Sequence, residues 1–154
     1  LTETLWPLES PDRKEYQDLV QNLLLDAPPQ EQGIYELWAA RQLEWLDQDK
    51  TLSENASILI QGMQIGEGLR MVAIEGEPVA GHGLHIIRFY QDGVTFPLGY
   101  TNGEGMYLPV SSQIPEGGYE VTSYGEYGYP ARLKPGMENI VQQALETLRN
   151  DGIG

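Results

Sequence analysis

The hydrophobic pattern of this chain changes its period near residue 50, and that change limits the folds open to it. Before residue 50, apolar residues recur every three or four positions, as in amphipathic helices. After it, two short β-rich runs at 57–65 and 69–74 flank Gly66-Glu67-Gly68. Such runs on either side of a glycine-containing turn predict a β-hairpin. The chain therefore combines helices with a sheet.

Two helices are predicted in the first third of the chain. The first begins at Ser10-Pro11-Asp12, which supplies an N-cap, a first-turn proline and an acidic residue near the positive end of the helix dipole. It ends at Ala27-Pro28-Pro29. Its apolar stripe comprises Tyr16, Leu19, Val20, Leu23 and Leu24. The second helix covers about residues 30–48, and its apolar face comprises Ile34, Leu37, Trp38 and Trp45, with the two tryptophans expected in the core.

The remainder alternates between elements and a long loop. A helix is predicted at 79–90 and a strand at 94–100, where Pro97 favours an edge position because proline cannot donate to a ladder. Residues 101–133 are predicted to be mostly loop, and a final amphipathic helix follows Pro135 and ends at Asp151-Gly152. The loop contains five tyrosines: Tyr107, Tyr119, Tyr124, Tyr127 and Tyr129. Their amphipathic side chains suit a site wall or a domain interface.

These elements predict an α/β fold in which helices pack on a small mixed sheet beside a long Gly/Tyr-rich loop. The 154 residues form either one domain or the C-terminal half of a larger catalytic domain. Within it, residues 1–50 are a helical lead-in, 55–134 hold the strands, a helix and the site loop, and 135–150 form the terminal helix. Because the chain starts at Leu1, we expect a processed or excised segment.

Composition excludes several functions. The formal net charge is −14, from 23 acidic and 9 basic residues, which disfavours binding to nucleic acids and to anionic lipid headgroups. No cysteine is present, so thiolate metal ligands and a cysteine nucleophile are excluded. No stretch approaches the roughly 20 apolar residues of a transmembrane helix, and we predict no transmembrane segment.

Three features could carry chemistry. His82 and His85 would share one face of the predicted helix, but they lack the HExxH pattern of zinc proteases and suit a polar helix face better. Glu77 lies where a strand meets a Pro-initiated helix, so it either caps that helix or points into a site. The run Gly99-Tyr100-Thr101-Asn102-Gly103-Glu104-Gly105-Met106-Tyr107 is dense in Gly and Tyr, as expected of backbone near a ligand.

The Gly/Tyr-rich run from Gly99 to Tyr107 carries a resemblance of this chain to a known enzyme family. GYTNGEGMYLP, followed by EGGYE, resembles the segment of neutral/alkaline non-lysosomal ceramidases that reads roughly GY-x-N-x-Y-x-x-Y and then Gly-Gly-Tyr-Glu. Upstream, IQGMQIGEGLRMVAIEGEPVAGHGL resembles the strand–strand–(G/A)E–helix stretch of the same family. The match covers about residues 57–119, with a compatible final helix.

The resemblance implies a zinc enzyme that hydrolyses the amide of an N-acyl lipid such as N-acylsphingosine. It implies metal ligation by Glu77, in the (G/A)E element, and by Tyr107, the last Tyr of the motif. The family's two histidine ligands belong to the part of the catalytic domain that precedes this region, so that N-terminal part is the expected partner and this chain alone is expected to bind Zn²⁺ weakly. Tyr100, Asn102 and Glu104 fall in the substrate loop. The chain departs from the family by having Glu104 where the motif has its middle Tyr, and by a shorter spacing between the two ligand positions.

Three hypotheses follow. The first is the C-terminal portion of a zinc-dependent amidohydrolase resembling neutral ceramidase, acting on a lipid-like amide. The second is a non-catalytic binding or interaction module derived from that fold. The third is a separate small enzyme whose metal is held by His82, His85 and Glu77.

Overall fold

A computed structural model describes residues 1–9, 13–26, 29 and 32–154. Its main sheet has four strands in the order β1-β2-β3-β5. The strands are β1 (Thr2–Pro7), β2 (Asn55–Gly66), β3 (Leu69–Ile74) and β5 (Val94–Leu98). The predicted hairpin is confirmed, since β2 and β3 pair antiparallel around the glycine turn, with a bulge between Gln64 and Gly66.

Strand β5 makes the sheet a mixed one. It runs parallel to β3, because the connection between them contains the helix α3 (Ala80–Phe89) and therefore returns the chain in the same direction. The strand lies at one edge of the sheet. The edge position predicted from Pro97 is thus confirmed, and so is the helix predicted at 79–90.

A second, two-stranded sheet is very short. Strand β4 (Glu77–Pro78) pairs parallel with β6 (Tyr107–Leu108). It is this pairing that brings together two segments thirty residues apart in the sequence.

The N-terminal strand β1 was not predicted, because residues 1–50 were expected to form a helical lead-in whose first helix begins at Ser10. It pairs antiparallel with β2 and buries Thr4 and Trp6. The strand is short and only two of its positions are buried, so the alternation of buried and exposed residues that would predict a strand is weak in the sequence. A bridge between Leu8 and Leu133 then ties this segment to the far end of the tyrosine loop.

The two predicted N-terminal helices are present as α1 (Arg13–Asp26) and α2 (Gln32–Asp47). The predicted start at Ser10-Pro11-Asp12, the predicted end at Ala27-Pro28, and the side chains of the apolar stripe of α1 lie outside the described residues. The apolar face predicted for α2 is confirmed at Trp38, which is buried, and was wrong elsewhere: Ile34 and Leu37 are exposed and Trp45 is half-buried. The residues of α2 that are buried are Tyr35, Trp38, Ala39 and Gln42.

One face of the main sheet forms the core. The C-terminal helix α5 (Met137–Asn150) packs on β1 and β2, and α3 packs on β5 and α5. The core contains Trp6, Ile58, Ile60, Val72, Ile74, Ile86, Val141, Leu145 and Leu148. The predicted α/β fold, with helices packed on a small mixed sheet, is confirmed. None of the helices described has both the length and the apolar character needed to cross a lipid bilayer.

Residues 101–133 are mostly irregular but hold four short elements: β6, two 3-10 turns (Ser111–Gln113 and Ser123–Gly125) and α4 (Tyr119–Thr122). Tyr124 is buried against the Trp38 ring, with ring centroids 5.9 Å apart. The loop therefore packs on α2 along part of its length.

Candidate functional site

Glu77 and Tyr107 are in register across the parallel pair β4–β6. The Glu77 amide donates to the Met106 carbonyl at 2.9 Å, and the Val79 amide donates to the Leu108 carbonyl at 3.2 Å. Because paired residues on neighbouring strands project on the same side, this register places the Glu77 carboxylate beside the Tyr107 phenol. Glu77 is not the helix cap, since Val79 occupies that position.

Gly76 makes the close approach of these strands possible. Its φ is +82°, and a Cβ added there would lie 2.8 Å from the Met106 carbonyl oxygen. Its amide donates to the Gly103 carbonyl, and its carbonyl accepts from the Tyr100 amide. The loop is thereby fastened around Gly76 by main-chain hydrogen bonds.

The loop also holds two non-glycine residues in the left-handed region, Tyr100 at φ +57° and Asn102 at φ +66°. Asparagine adopts this conformation fairly readily, whereas for tyrosine it is uncommon. Strained backbone of this kind collects at ligand-binding sites. Here it turns the Tyr100 phenol back toward β4.

Three phenols meet the Glu77 carboxylate. Tyr127 donates to Oε1 at 2.6 Å and Tyr100 donates to Oε2 at 2.8 Å, and the Tyr107 phenol lies close enough for the carboxylate to raise its pKa. We call Glu77, Tyr100, Tyr107 and Tyr127 the Glu77–tyrosine cluster. The Tyr107 ring makes edge contacts with the Tyr127 and Tyr119 rings, at centroid distances of 6.4 and 5.3 Å.

The cluster favours a carboxylate anion surrounded by neutral phenols. Partial desolvation acts to raise the pKa of Glu77, but the hydrogen bonds from Tyr127 and Tyr100, together with the nearby Tyr107 phenol, outweigh it and lower the pKa below its ordinary value. The neighbouring Glu77 carboxylate raises the pKa of Tyr107 to about 12. The pKa of Tyr127 is also raised, by burial and then by its bond to Glu77.

The five residues predicted to form the site are not equally close. Glu77, Tyr107 and Tyr100 come together, whereas Asn102 and Glu104 lie exposed in the loop. Glu104 is near enough to Tyr100 to contribute, after the Glu77 hydrogen bond, desolvation and the Glu77 charge, to its raised pKa. Asn102 and Glu104 therefore lie at the rim of the cluster.

Tyr127 was not predicted as a site residue. The loop is rich in tyrosine, but the irregular spacing of its five tyrosines does not indicate which ring faces Glu77. Tyr127 reaches the carboxylate from a position fifty residues further along the chain.

A second carboxylate supports the wall of the cluster. Glu126 accepts hydrogen bonds from the Tyr35 phenol at 2.8 Å and from the Tyr119 phenol at 3.1 Å. Tyr35 belongs to α2, and the Tyr119 ring packs on Tyr107. Glu126 thus links α2 to the tyrosines beside the candidate site.

The two histidines have separate structural roles. The interpretation of His82 and His85 as a polar helix face was wrong for His82, which is fully buried, with its Nε2 3.0 Å from the Pro109 carbonyl and its ring packed against Trp6. His85 lies 3.1 Å from Gln142 Oε1 on α5. Burial lowers the pKa of His82, so its imidazole is favoured in the neutral form.

Within residues 1–9, 13–26, 29 and 32–154, no group of three or more His, Cys, Asp and Glu side chains is arranged to hold a metal ion. The proposed triad of His82, His85 and Glu77 is therefore not formed. Glu77 and Tyr107 remain as a pair of adjacent oxygen donors.

Comparisons with protein-family models, with curated proteins and with solved structures found no match for this chain.

Proposed function

We propose that this chain contributes the carboxylate and phenol ligands of a zinc site in an amidohydrolase resembling neutral ceramidase, with an N-acyl amide lipid as substrate. One observation carries the proposal. The two residues that the resemblance selects as ligands, Glu77 and Tyr107, lie in register on β4 and β6, with the phenol close enough to the carboxylate for its pKa to be raised by it. A sequence resemblance alone does not require residues thirty positions apart to meet.

The donor chemistry of the pair fits zinc. Carboxylate oxygen is a common zinc ligand, and a dication favours a phenolate by depressing the tyrosine pKa. Two oxygen donors fall short of the four-coordinate set that zinc prefers, and this agrees with further ligands from the N-terminal part of the same catalytic domain. Bound zinc would acidify a water molecule and polarise the amide carbonyl.

The residues of this chain would act mainly by orientation. Tyr127 and Tyr100 hold the two carboxylate oxygens of Glu77 in place and favour its ionised form, which is the form that binds a metal. Tyr107 would have to lose its proton to become a ligand. Asn102 and Glu104, which are exposed at the rim, would contact the substrate.

The alternative, a binding module without catalysis, is favoured by Glu104 in place of the family's tyrosine. Such a module has no need for contact between Glu77 and Tyr107, however. Their juxtaposition in the β4–β6 register therefore supports the zinc site more than the binding module.

The proposal is tested on the natural protein that contains this chain, by measuring bound zinc and hydrolysis of N-acylsphingosine. Glu77→Gln and Tyr107→Phe are each expected to lower zinc affinity and activity by at least about a hundredfold, since they remove ligands. Glu126→Gln and Tyr119→Phe are matched controls, because they alter an adjacent carboxylate–phenol pair that is not a proposed ligand. A wild-type protein without zinc or amidase activity would contradict the proposal, as would full zinc occupancy in Glu77→Gln.

A further inference from the structure

A cleft lies between α2 and the last part of the tyrosine-containing loop. Its volume is about 360 Å³, and its two walls come from residues 41–53 and 127–130. The Trp38 indole donates to the Tyr129 carbonyl at 2.8 Å, which fixes the loop wall to the helix. We call this cavity the α2 cleft. The polar and aromatic residues that line it are Arg41, Gln42, Trp45, Ser53, Tyr127 and Tyr129.

The α2 cleft carries positive charge in a strongly acidic chain. The Arg41 guanidinium carbon lies 5.4 Å from the centroid of the Trp45 ring, and the Lys50 ammonium nitrogen lies 5.6 Å from the same centroid. No acidic residue that the structure describes lines the cleft, and neither cation is paired with a described carboxylate. Since the chain has 23 acidic residues and only 9 basic ones, two such cations beside one ring are open to an anion from outside.

Gln42 adds a buried hydrogen-bonding group to the same lining. Only 4% of this residue is exposed, and its side-chain amide makes no hydrogen bond within the part of the chain that the structure describes. Buried polar side chains in native proteins normally have a partner. The amide can donate two hydrogen bonds, and because Gln42 is almost enclosed, an acceptor reaches it through the cleft.

These groups favour an anionic oxygen group over other ligands. A guanidinium binds a carboxylate or a phosphate through two parallel N–H···O bonds, and an ammonium adds a point charge. Aromatic sites can also hold cations, but here Arg41 and Lys50 already lie at the Trp45 ring and would repel one. The rings of Tyr127 and Tyr129 offer apolar area to the carbon skeleton that carries the anion.

The α2 cleft adjoins the Glu77–tyrosine cluster through one residue. Tyr127 lines the cleft, and its phenol donates to Glu77 Oε1 at 2.6 Å. A ligand held at Glu77 therefore has the cleft within about the length of one tyrosine side chain. Because the Glu77 carboxylate repels an anion, an anionic group is more stable near Arg41 than beside Glu77. The cleft thus suits a ligand whose anionic group is set apart from the part that contacts Glu77.

We propose that the α2 cleft binds a carboxylate or phosphate group carried by the amide ligand of the Glu77–tyrosine cluster. Arg41 and Lys50 neutralise the anion, and Gln42 donates to one of its oxygens. The residues that line the cleft all lie outside residues 57–119, so the family resemblance implies nothing about them. The link to an amide rests on the proposed function, whereas recognition of the anion does not depend on zinc.

The test measures the affinity of the natural protein that contains this chain for two matched probes, by isothermal titration calorimetry at low salt. N-decylsulfonylglycine carries a carboxylate, N-decylsulfonylglycinamide carries a neutral amide in its place, and the sulfonamide of both resists hydrolysis. The carboxylate probe is expected to bind at least about tenfold more tightly, the size of one hydrogen bond to an ionised group. The double variant Arg41→Gln, Lys50→Gln should remove most of this preference. The double variant Arg88→Gln, Lys134→Gln is the control, because it removes the same charge from exposed residues that do not line the cleft.

Each outcome decides a different point. Equal affinities for the two probes would overturn the α2 cleft as an anion site, even in a protein that holds zinc and hydrolyses amides. An equal loss of preference in the two double variants would also overturn it, because the effect would then come from overall charge. Displacement of the carboxylate probe by an equal concentration of inorganic phosphate would overturn the amide ligand in favour of a free anion. A preference that depends on Arg41 and Lys50 in a protein without zinc would support the cleft and remove the proposed function.

Discussion

At the scale of single residues, the Glu77 carboxylate is the chemical centre of the molecule. Its oxygens accept hydrogen bonds from the phenols of Tyr127 and Tyr100 at 2.6 and 2.8 Å, and the Tyr107 phenol lies beside it. Hydrogen bonds between a phenol and an ionised carboxylate are stronger than bonds between neutral groups. They stabilise the ionised carboxylate and the protonated phenols together, so each group changes the titration of the others.

Glu77→Gln should therefore lower the pKa of Tyr107 from about 12 toward the ordinary value of 10. The sign follows because an amide in place of the anion removes the negative charge that opposes phenolate formation and leaves only a weaker, neutral acceptor. The pKa is measured from the ¹³Cζ NMR shift of Tyr107 in a pH titration, with the resonance assigned from Tyr107→Phe. The same measurement on Glu126→Gln serves as the control. A Tyr107 pKa that stays near 12 in Glu77→Gln would show that the carboxylate is not the cause.

His82 gives a pH dependence of stability. Burial lowers its pKa in the folded state, and among the charged groups facing it Glu138 opposes the shift while His85 adds to it. At pH values above about 6.5, the pKa of histidine in the unfolded chain, the imidazole is neutral in both the folded and the unfolded state and contributes nothing to the pH dependence of stability. Below it the unfolded state takes up a proton first, so the free energy of unfolding falls by up to about 1.4 kcal/mol per pH unit.

His82→Gln should flatten this dependence between pH 7 and pH 5, as measured by urea unfolding at several pH values. The comparison is made on the difference from wild type, since the carboxylates titrate in both proteins. Parallel curves for wild type and His82→Gln would contradict the assignment.

At the scale of elements, the junction between β4 and β6 depends on Gly76. Gly76→Ala would place a methyl group 2.8 Å from the Met106 carbonyl and would hold a non-glycine residue at φ +82°. The left-handed backbone costs about 1 kcal/mol and the clash about 1–3 kcal/mol more. We expect the free energy of unfolding to fall by about 2–4 kcal/mol and the Glu77–Tyr107 register to be lost.

Gly128→Ala is the matched control for this substitution. Gly128 has nearly the same φ, +79°, but a Cβ there would meet nothing within 4 Å. Gly128→Ala should lower the free energy of unfolding only by the backbone contribution of about 1 kcal/mol. Urea unfolding of both variants gives the difference, which isolates the contact with Met106. Equal decreases in the free energy of unfolding for Gly76→Ala and Gly128→Ala would mean that β4 and β6 can separate without loss of stability.

The elements also show how far the sequence alone predicts this fold. The β2–β3 hairpin was predictable because its glycine turn and the change in hydrophobic period are local signals. Helix α5 was predictable because its apolar residues recur at helical spacing. Apart from Trp38, the buried face of α2 was not, because Tyr35 is selected by Glu126 some ninety residues away. Tyr127 was missed for the same reason. Local patterns determine elements, whereas the partners of a side chain depend on distant segments.

At the scale of the whole molecule, the acidic charge should weaken the fold. The described ion pairs include Arg132 with Glu9 at 2.8 Å and Arg13 with Asp47. With 23 acidic residues and 9 basic ones, at least 14 carboxylates have no basic side chain to pair with one-to-one. Repulsion among them therefore outweighs the attraction within these partly exposed pairs, each of which contributes no more than about 1 kcal/mol.

Added salt should consequently stabilise this protein at pH 7. Raising NaCl from 0.01 to 0.15 M shortens the Debye length from about 30 Å to about 8 Å, which screens the long-range repulsion within the compact state. We expect the midpoint of urea unfolding to rise, with most of the increase complete by about 0.15 M, since screening saturates as the Debye length approaches the spacing between neighbouring charges. Urea is required as the denaturant because guanidinium chloride is itself a salt. The same titration at pH 4, where many carboxylates are protonated, should give a smaller increase. A midpoint that falls with salt at pH 7 would show that the ion pairs, and not the excess of carboxylates, dominate the electrostatic free energy of folding.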